Sequence, residues 1–160
     1  MPDGRRVAAL AELRRVYSDL VRYETELWDA MDRLLRETLD MAMGTFDVLQ
    51  TIARTPDCRV YDIARALAIT VGGTSKAVDR IEARGHLARR PNPDDKRSSI
   101  IALTPAGEEL LAKAATLVDR ELDQRMNTIL TARELDQLAD MLTRLRAAHS
   151  GNASPDSGTE

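Results

Sequence analysis

Residues 70–103 read TVGGTSKAVDRIEARG (70–85) followed by HLARRPNPDDKRSSIIAL (86–103), and the change of period between the two halves decides the fold. In the first half Val71, Thr74, Val78 and Ile81 recur at helical spacing on one face, while Ser75, Lys76, Asp79 and Arg80 project from the other. The spacing predicts a helix over Val71 to Arg84 with a polar, basic outer face. Thr70 stands where an N-cap belongs, and Gly85 supplies the left-handed residue that stops the helix. In the second half Leu87 to Arg90 and Ser98 to Leu103 are short β-prone runs around Pro91-Asn92-Pro93-Asp94-Asp95-Lys96-Arg97. That pattern reads as a hairpin with a charged tip.

A second short helix, Tyr61 to Ala68, precedes the first with only Ile69 and Thr70 between them, so the two must cross steeply. Farther upstream Leu10, Leu13, Tyr17, Leu20, Glu24, Leu27, Met31 and Leu34 alternate in steps of three and four, the narrow seam of one long helix. Thr45 is read as the cap of a short helix carrying Phe46, Val48, Leu49 and Ile52, which Pro56 and Asp57 end. Downstream, Thr104-Pro105 opens a long helix whose stripe runs from Leu110 through Val118 and Leu122 to Ile129. Thr131-Ala132-Arg133-Glu134 is a capping box for the last helix, whose Leu135, Leu138, Leu142 and Leu145 repeat a seam spacing. The fold class is thus mainly α with a small β-hairpin wing. A single domain over 1–160 is expected, with a winged helix-turn-helix lobe at 44–104, dimerisation helices at 5–43 and 105–149, and a disordered tail at 150–160. Both terminal helices carry apolar stripes that so small a domain leaves uncovered, so a homodimer is expected.

Composition excludes several function classes. At 160 residues, with 43% hydrophobic and 31% charged, the chain suits one buried core. No apolar run approaches the roughly 18 residues of a membrane span, and no signal-type core follows the N-terminus, so a cytoplasmic, nucleoid-associated protein without membrane contact is expected. One cysteine, Cys58, makes neither an intrachain disulfide nor the cysteine pairs of a zinc site. Asp94-Asp95, on a proline-rich turn beside Lys96 and Arg97, reads as turn former and ion-pair partner, not as a metal pair. Two histidines and one cysteine so placed assemble no catalytic arrangement, so no enzyme, metal or cofactor is expected. The net charge is -3, but residues 59–97 hold nine Lys and Arg against five Asp and Glu, and the rest holds 14 against 21. One basic face on an acidic body attracts a polyanion locally.

Two steeply crossed helices followed by a charged hairpin fit duplex DNA, the helix in the major groove and the hairpin in the neighbouring minor groove or on the backbone. The segments Tyr61 to Leu67, Gly73 to Gly85, Asp94 to Arg97 and Leu103-Thr104-Pro105-Ala106-Gly107 closely resemble the MarR (multiple antibiotic resistance regulator) family, by motif over about Gly44 to Leu111 and by architecture in the flanking helices. The resemblance implies that the helix Val71 to Arg84 lies in the major groove. It implies also that an Asp-x-Arg unit at the wing tip, matched by Asp95 and Arg97, aims an arginine into the minor groove. A carboxylate two residues away can hold that guanidinium in place. Ser75 and Lys76 match positions that reach bases or phosphates, and Thr70 and Gly73 match the helix entry, where amides approach phosphate. Arg80, Arg90 and Lys96 complete the expected contact set.

The implied function is a ligand-responsive repressor: a dimer gripping pseudo-palindromic double-stranded DNA, released by a small lipophilic or aromatic effector. A winged-helix protein-interaction module without specific DNA contacts is the alternative. Trp28, Met31, Met41, Met43 and Phe46 are candidates to line an effector cleft, with plain core as the bland reading. Cys58 is read as a small buried residue, since family members with a peroxide-sensing thiol carry it near the N-terminal helix. His86 departs from the large apolar residue usual in the family; hydrogen-bonded packing is the plain reading and a pH-sensitive spot the sharper one.

Overall fold

A computed structural model of the chain describes residues 4–93, 95 and 97–150. Six α-helices and one antiparallel hairpin follow in the order α1 (Gly4–Leu39), α2 (Met43–Arg54), α3 (Val60–Leu67), α4 (Val71–Ala83), β1 (Leu87–Pro91), β2 (Ser99–Leu103), α5 (Pro105–Leu122) and α6 (Ala132–Ser150). The mainly helical fold with a small wing is therefore as the sequence predicts. Two compact units divide the chain, Met1–Val118 and Asp119–Glu160.

In the first unit only the C-terminal end of α1 is enclosed, through Met31 and Leu35. Val7, Leu10, Leu13, Val16, Tyr17, Leu20 and Val21 along its first half are exposed. Asp40, at φ 50°, ends α1 in the left-handed region, where its N–H donates to Arg36 O at 3.1 Å. The start of α2 differs from expectation. The helix begins at Met43, Thr45 lies inside it, and the N-cap residue Ala42 has no side chain to offer. The cap comes from α1 instead: Asp32 Oδ1 accepts the Met43 N–H at 2.8 Å. Arg36 and that amide together hold the Asp32 carboxyl below the usual carboxylate range.

Leu49 of α2, Ile63 of α3 and Val78 of α4 are fully enclosed and form the centre of the lobe. Between α3 and α4 the chain turns through Ala68, left-handed at φ 54°, so α3 stops one residue short of the predicted end. Thr70 caps α4 as expected, its Oγ1 accepting the Gly73 N–H at 3.1 Å, and the buried Thr74 hydroxyl donates to Thr70 O at 2.9 Å. Gly85 stops the helix at φ 80°, with the His86 N–H donating to Ile81 O at 3.3 Å. The hairpin pairs Leu87 with Leu103 and Pro91 with Ser99, and the Ile101 N–H donates outward to Cys58 O at 2.7 Å.

Thr104 joins the wing to α5. Its Oγ1 donates to Gly85 O at 2.7 Å and accepts the Gly107 N–H at 3.1 Å, so one hydroxyl caps α5 and fastens it to the end of α4. A Cβ on Gly107 would stand 2.0 Å from His86 O, so the approach of α5 to the α4–β1 joint requires glycine. Where one uninterrupted helix to Ile129 is predicted, α5 ends at Leu122 and gives way to a π-helical turn, Asp123–Asn127. In the second unit the Thr131 capping box forms, with Glu134 Oε2 accepting the Thr131 N–H at 2.8 Å and lowering the Glu134 pKa in consequence. Helix α6 leaves Met141, Leu142 and Leu145 exposed and runs through Ser150, the first residue of the predicted tail; the rest of that tail lies outside the described residues.

Candidate nucleic-acid interface

The buried stripe Thr74, Val78 and Ile81 fixes the rotation of α4, and the opposite face turns outward with Lys76 and Arg80 exposed and Ser75 half-buried. Thr70 and Gly73 stand at the entry, where the Gly73 amide is already engaged by the Thr70 hydroxyl. Beside them the apolar side chains of Tyr61 (64% exposed), Ile69 and Val71 stand in solvent. Val71, which its spacing places on the buried stripe, is instead 51% exposed, because the first turn of α4 projects beyond the core; apolar groups on this edge suit contact with sugar or thymine methyl.

At the wing tip the Asp95 carboxylate accepts the backbone N–H of Arg97 at 2.9 Å, and Asp95 O accepts the Ser98 N–H at 3.0 Å. The enclosed Asn92 donates to Ser98 Oγ at 2.9 Å across the base of the turn. Asp95 therefore anchors the backbone under Arg97; the ion pair to the guanidinium expected from the sequence is not seen among the described residues. A short carboxylate reaches an amide two residues on more readily than the end of a long side chain. Arg97 is exposed, and Asp94 and Lys96 lie outside the described residues.

Strand alternation sorts the two wing arginines. Arg89 shares a face with Leu87 and Ile101, and its guanidinium pairs with Asp79 and Glu82 of α4. Sequence reading missed this contact. Arg90, opposite Ile100, belongs to the other face, away from α4. One concave surface of about 430 Å³ brings Ser75 and Arg97 together with Arg59, Tyr61, Val71 and Arg89. Arg80 instead borders a 50 Å³ cavity with Asp40, Arg84 and His86. There Arg84 donates to Asp40 Oδ2 at 2.7 Å and to Asp40 O at 3.1 Å, tying the end of α4 to the α1–α2 turn.

A family model described as "MarR family" matches residues 39–98, across α2 to the wing. The multiple antibiotic resistance protein MarR of Escherichia coli (strain K12) is 31% identical over 117 residues, covering 71% of this chain and 81% of that protein. The chain belongs to the MarR family. A MarR family transcriptional regulator from Streptomyces coelicolor, solved in complex with DNA, superposes with a TM-score of 0.79 at 27% identity and covers 94% of both chains. A mutant E. coli MarR complexed with operator DNA gives a TM-score of 0.67 at 29% identity over 79% of this chain and 93% of its own. Membership makes this MarR-family chain a winged helix-turn-helix transcriptional regulator and not an enzyme.

Of the effector candidates on this MarR-family fold, Met31, Met41, Met43 and Phe46 are buried and Trp28 is partly exposed. A cavity of about 790 Å³ lies elsewhere, lined by Ile52, Arg90, Ile101, Glu108, Leu111 and Ala115 among others. Cys58 is 1% exposed, and burial, with the nearby Asp62 charge, pushes its thiol up to about 11. Almost no thiolate exists at neutral pH, so this sulfur behaves as a small apolar group. His86 is half-buried and its main chain receives the Thr104 N–H at 3.1 Å, but its buried Nδ1 has no partner among the described residues. Hydrogen-bonded packing, the plain reading of this residue, is thus not met at that nitrogen. No helix among the described residues is long and apolar enough to cross a membrane.

Proposed function

We propose that this protein is a homodimeric repressor that reads a pseudo-palindromic duplex, one half-site per copy, and releases it when a small lipophilic or aromatic effector binds. The single observation that carries the reading is the convergence of Ser75 from α4 and Arg97 from the wing on one basic concave surface. On this reading the exposed Lys76 and Arg80 of α4 add charge for the duplex outside that concavity, and Thr70 and Gly73 stand at the start of the helix. The two relatives solved on DNA support it. Asp95 serves it by fixing the backbone of the wing tip, and Lys96 belongs to the same charged tip. A protein with this task works in the cytoplasm, at the nucleoid.

The exposed apolar side chains of α1 and those of α6 support a second copy as the partner of each. For the effector, the 790 Å³ cavity is of drug-like size, its walls largely apolar with Arg90 at hand for an acid group. On this reading Arg90 holds ligand and not DNA. Met31, Met43 and Phe46 belong to the packed core at α1 and α2, through which closure of a cleft would be felt, while Trp28 stands exposed on α1.

Fluorescence anisotropy of a labelled duplex across a salt series tests the DNA reading. Binding should be sub-micromolar at low salt and fall steeply, with log K against log salt sloping by about -0.9 per phosphate neutralised. A flat salt dependence, or no binding to any duplex at low salt, would sink it in favour of a protein-interaction module.

A further inference from the structure

We propose that Arg89 is a positioning residue for DNA reading: its guanidinium clamps the wing strand to α4 through Asp79 and Glu82, so that Arg97 and the outer face of α4 meet the duplex at one fixed separation. The inference rests on the DNA-binding reading above and adds to it a residue outside the expected contact set.

A two-stranded hairpin is marginal by itself and needs something to hold it at an angle to the helix it accompanies. Here β1 pairs with β2 alone, and β2 has Cys58 on its far side, so β1 is the free edge of the wing. Glu82 holds that edge twice, accepting the Arg89 N–H on Oε1 at 3.2 Å and the guanidinium on Oε2. Asp79, one turn earlier on α4, takes the other arm of the same guanidinium. The planar fork suits two carboxylates at once, and lysine could not match it. Arg89 and Glu82 are 29% and 33% exposed at the side chain, partly withdrawn from the water that makes surface pairs worthless.

The acids also need the arginine. Asp79 and Glu82 are the two carboxylates on a helix that faces phosphates, and unpaired they would repel the duplex. This sets up a test on the sign of an effect. Simple electrostatics requires that Glu82→Gln, which removes a negative charge, tighten DNA binding. A clamp requires that it weaken binding, because the wing is released.

Operator affinity measured by anisotropy for wild type, Glu82→Gln, Arg89→Ala and the exchange Arg89→Glu with Glu82→Arg decides the matter. We expect Glu82→Gln to bind the operator roughly fivefold to tenfold more weakly, with the salt slope unchanged. The exchange should recover part of what Arg89→Ala loses. The proposal is overturned if Glu82→Gln binds as tightly as wild type or more so. It is overturned equally if Arg89→Ala lowers the salt slope by about one and the exchange recovers nothing, the signature of an arginine that holds phosphate itself. Glu82→Gln alone keeps the test decisive should the exchanged protein misfold. A wild-type protein that binds no duplex is a different failure, recognised before any variant is made, and removes the DNA reading together with the clamp.

Discussion

Arg97→Ala should weaken operator binding by roughly tenfold to a hundredfold while leaving the melting temperature where it was. Loss of one arginine that reaches a groove costs about 1–3 kcal/mol of binding, and 1.4 kcal/mol is a factor of ten. The side chain is exposed, and the turn beneath it is held by its own backbone N–H on Asp95 Oδ1 at 2.9 Å, a bond alanine retains. Folding therefore loses nothing while the duplex loses its wing contact. Anisotropy and a thermal melt on the same preparation read both quantities, and a fall in both together would mean that the residue serves the fold.

Gly107→Ala is the opposite case, a change far from the DNA-facing surface that strikes the fold. Its Cβ would come within 2.0 Å of His86 O and 3.0 Å of His86 C, which are backbone atoms and cannot swing aside. Either α5 lifts away from the α4–β1 joint or the joint itself shifts, and the Thr104 bridge to Gly85 O is strained in both. Overpacking of this kind costs about 3 kcal/mol. At roughly 2–4 °C per kcal/mol for a chain of this size, the melting temperature should drop by roughly 6–12 °C. An unchanged melting curve would show that α5 does not press on this loop as closely as 2.0 Å implies.

The recognition helix was the most legible part of the molecule. Its buried face (Val71 excepted, which stands exposed in the first turn), its Thr70 cap and its Gly85 stop are all local, and each is settled by residues within a few positions of it. The start of α2 was not legible, because its first amide is capped by Asp32, eleven residues back on another helix, and spacing along the chain cannot reveal a tertiary partner. The π-helical turn after Leu122 escaped for another reason: an apolar stripe continues across it, so periodicity reports one helix.

The same limits governed the candidate site. Asp95 and Arg97 were found as a unit, yet which atom of Arg97 the carboxylate holds depends on the conformation of the turn. Arg89 and Arg90 are adjacent and chemically identical in the sequence. Only the strand register assigns one to α4 and the other to the cavity face. Met31, Met43 and Phe46 have the residue types of a ligand pocket and the spacing of a core, and the two uses of an apolar residue are not separable until burial is known. Leu103 to Gly107 was noticed through its family resemblance, but its physical reason, a helix pressed on a carbonyl, exists only in three dimensions.

The central claim, a two-fold dimer reading DNA with α4 and the wing, is tested most directly by selecting bound duplexes from a random pool and sequencing them. An enriched inverted repeat is expected, with half-sites centred about 10–10.5 bp, one helical turn, or a multiple of that apart. A pool that remains random after repeated rounds, or a single asymmetric site with no second half, would contradict it.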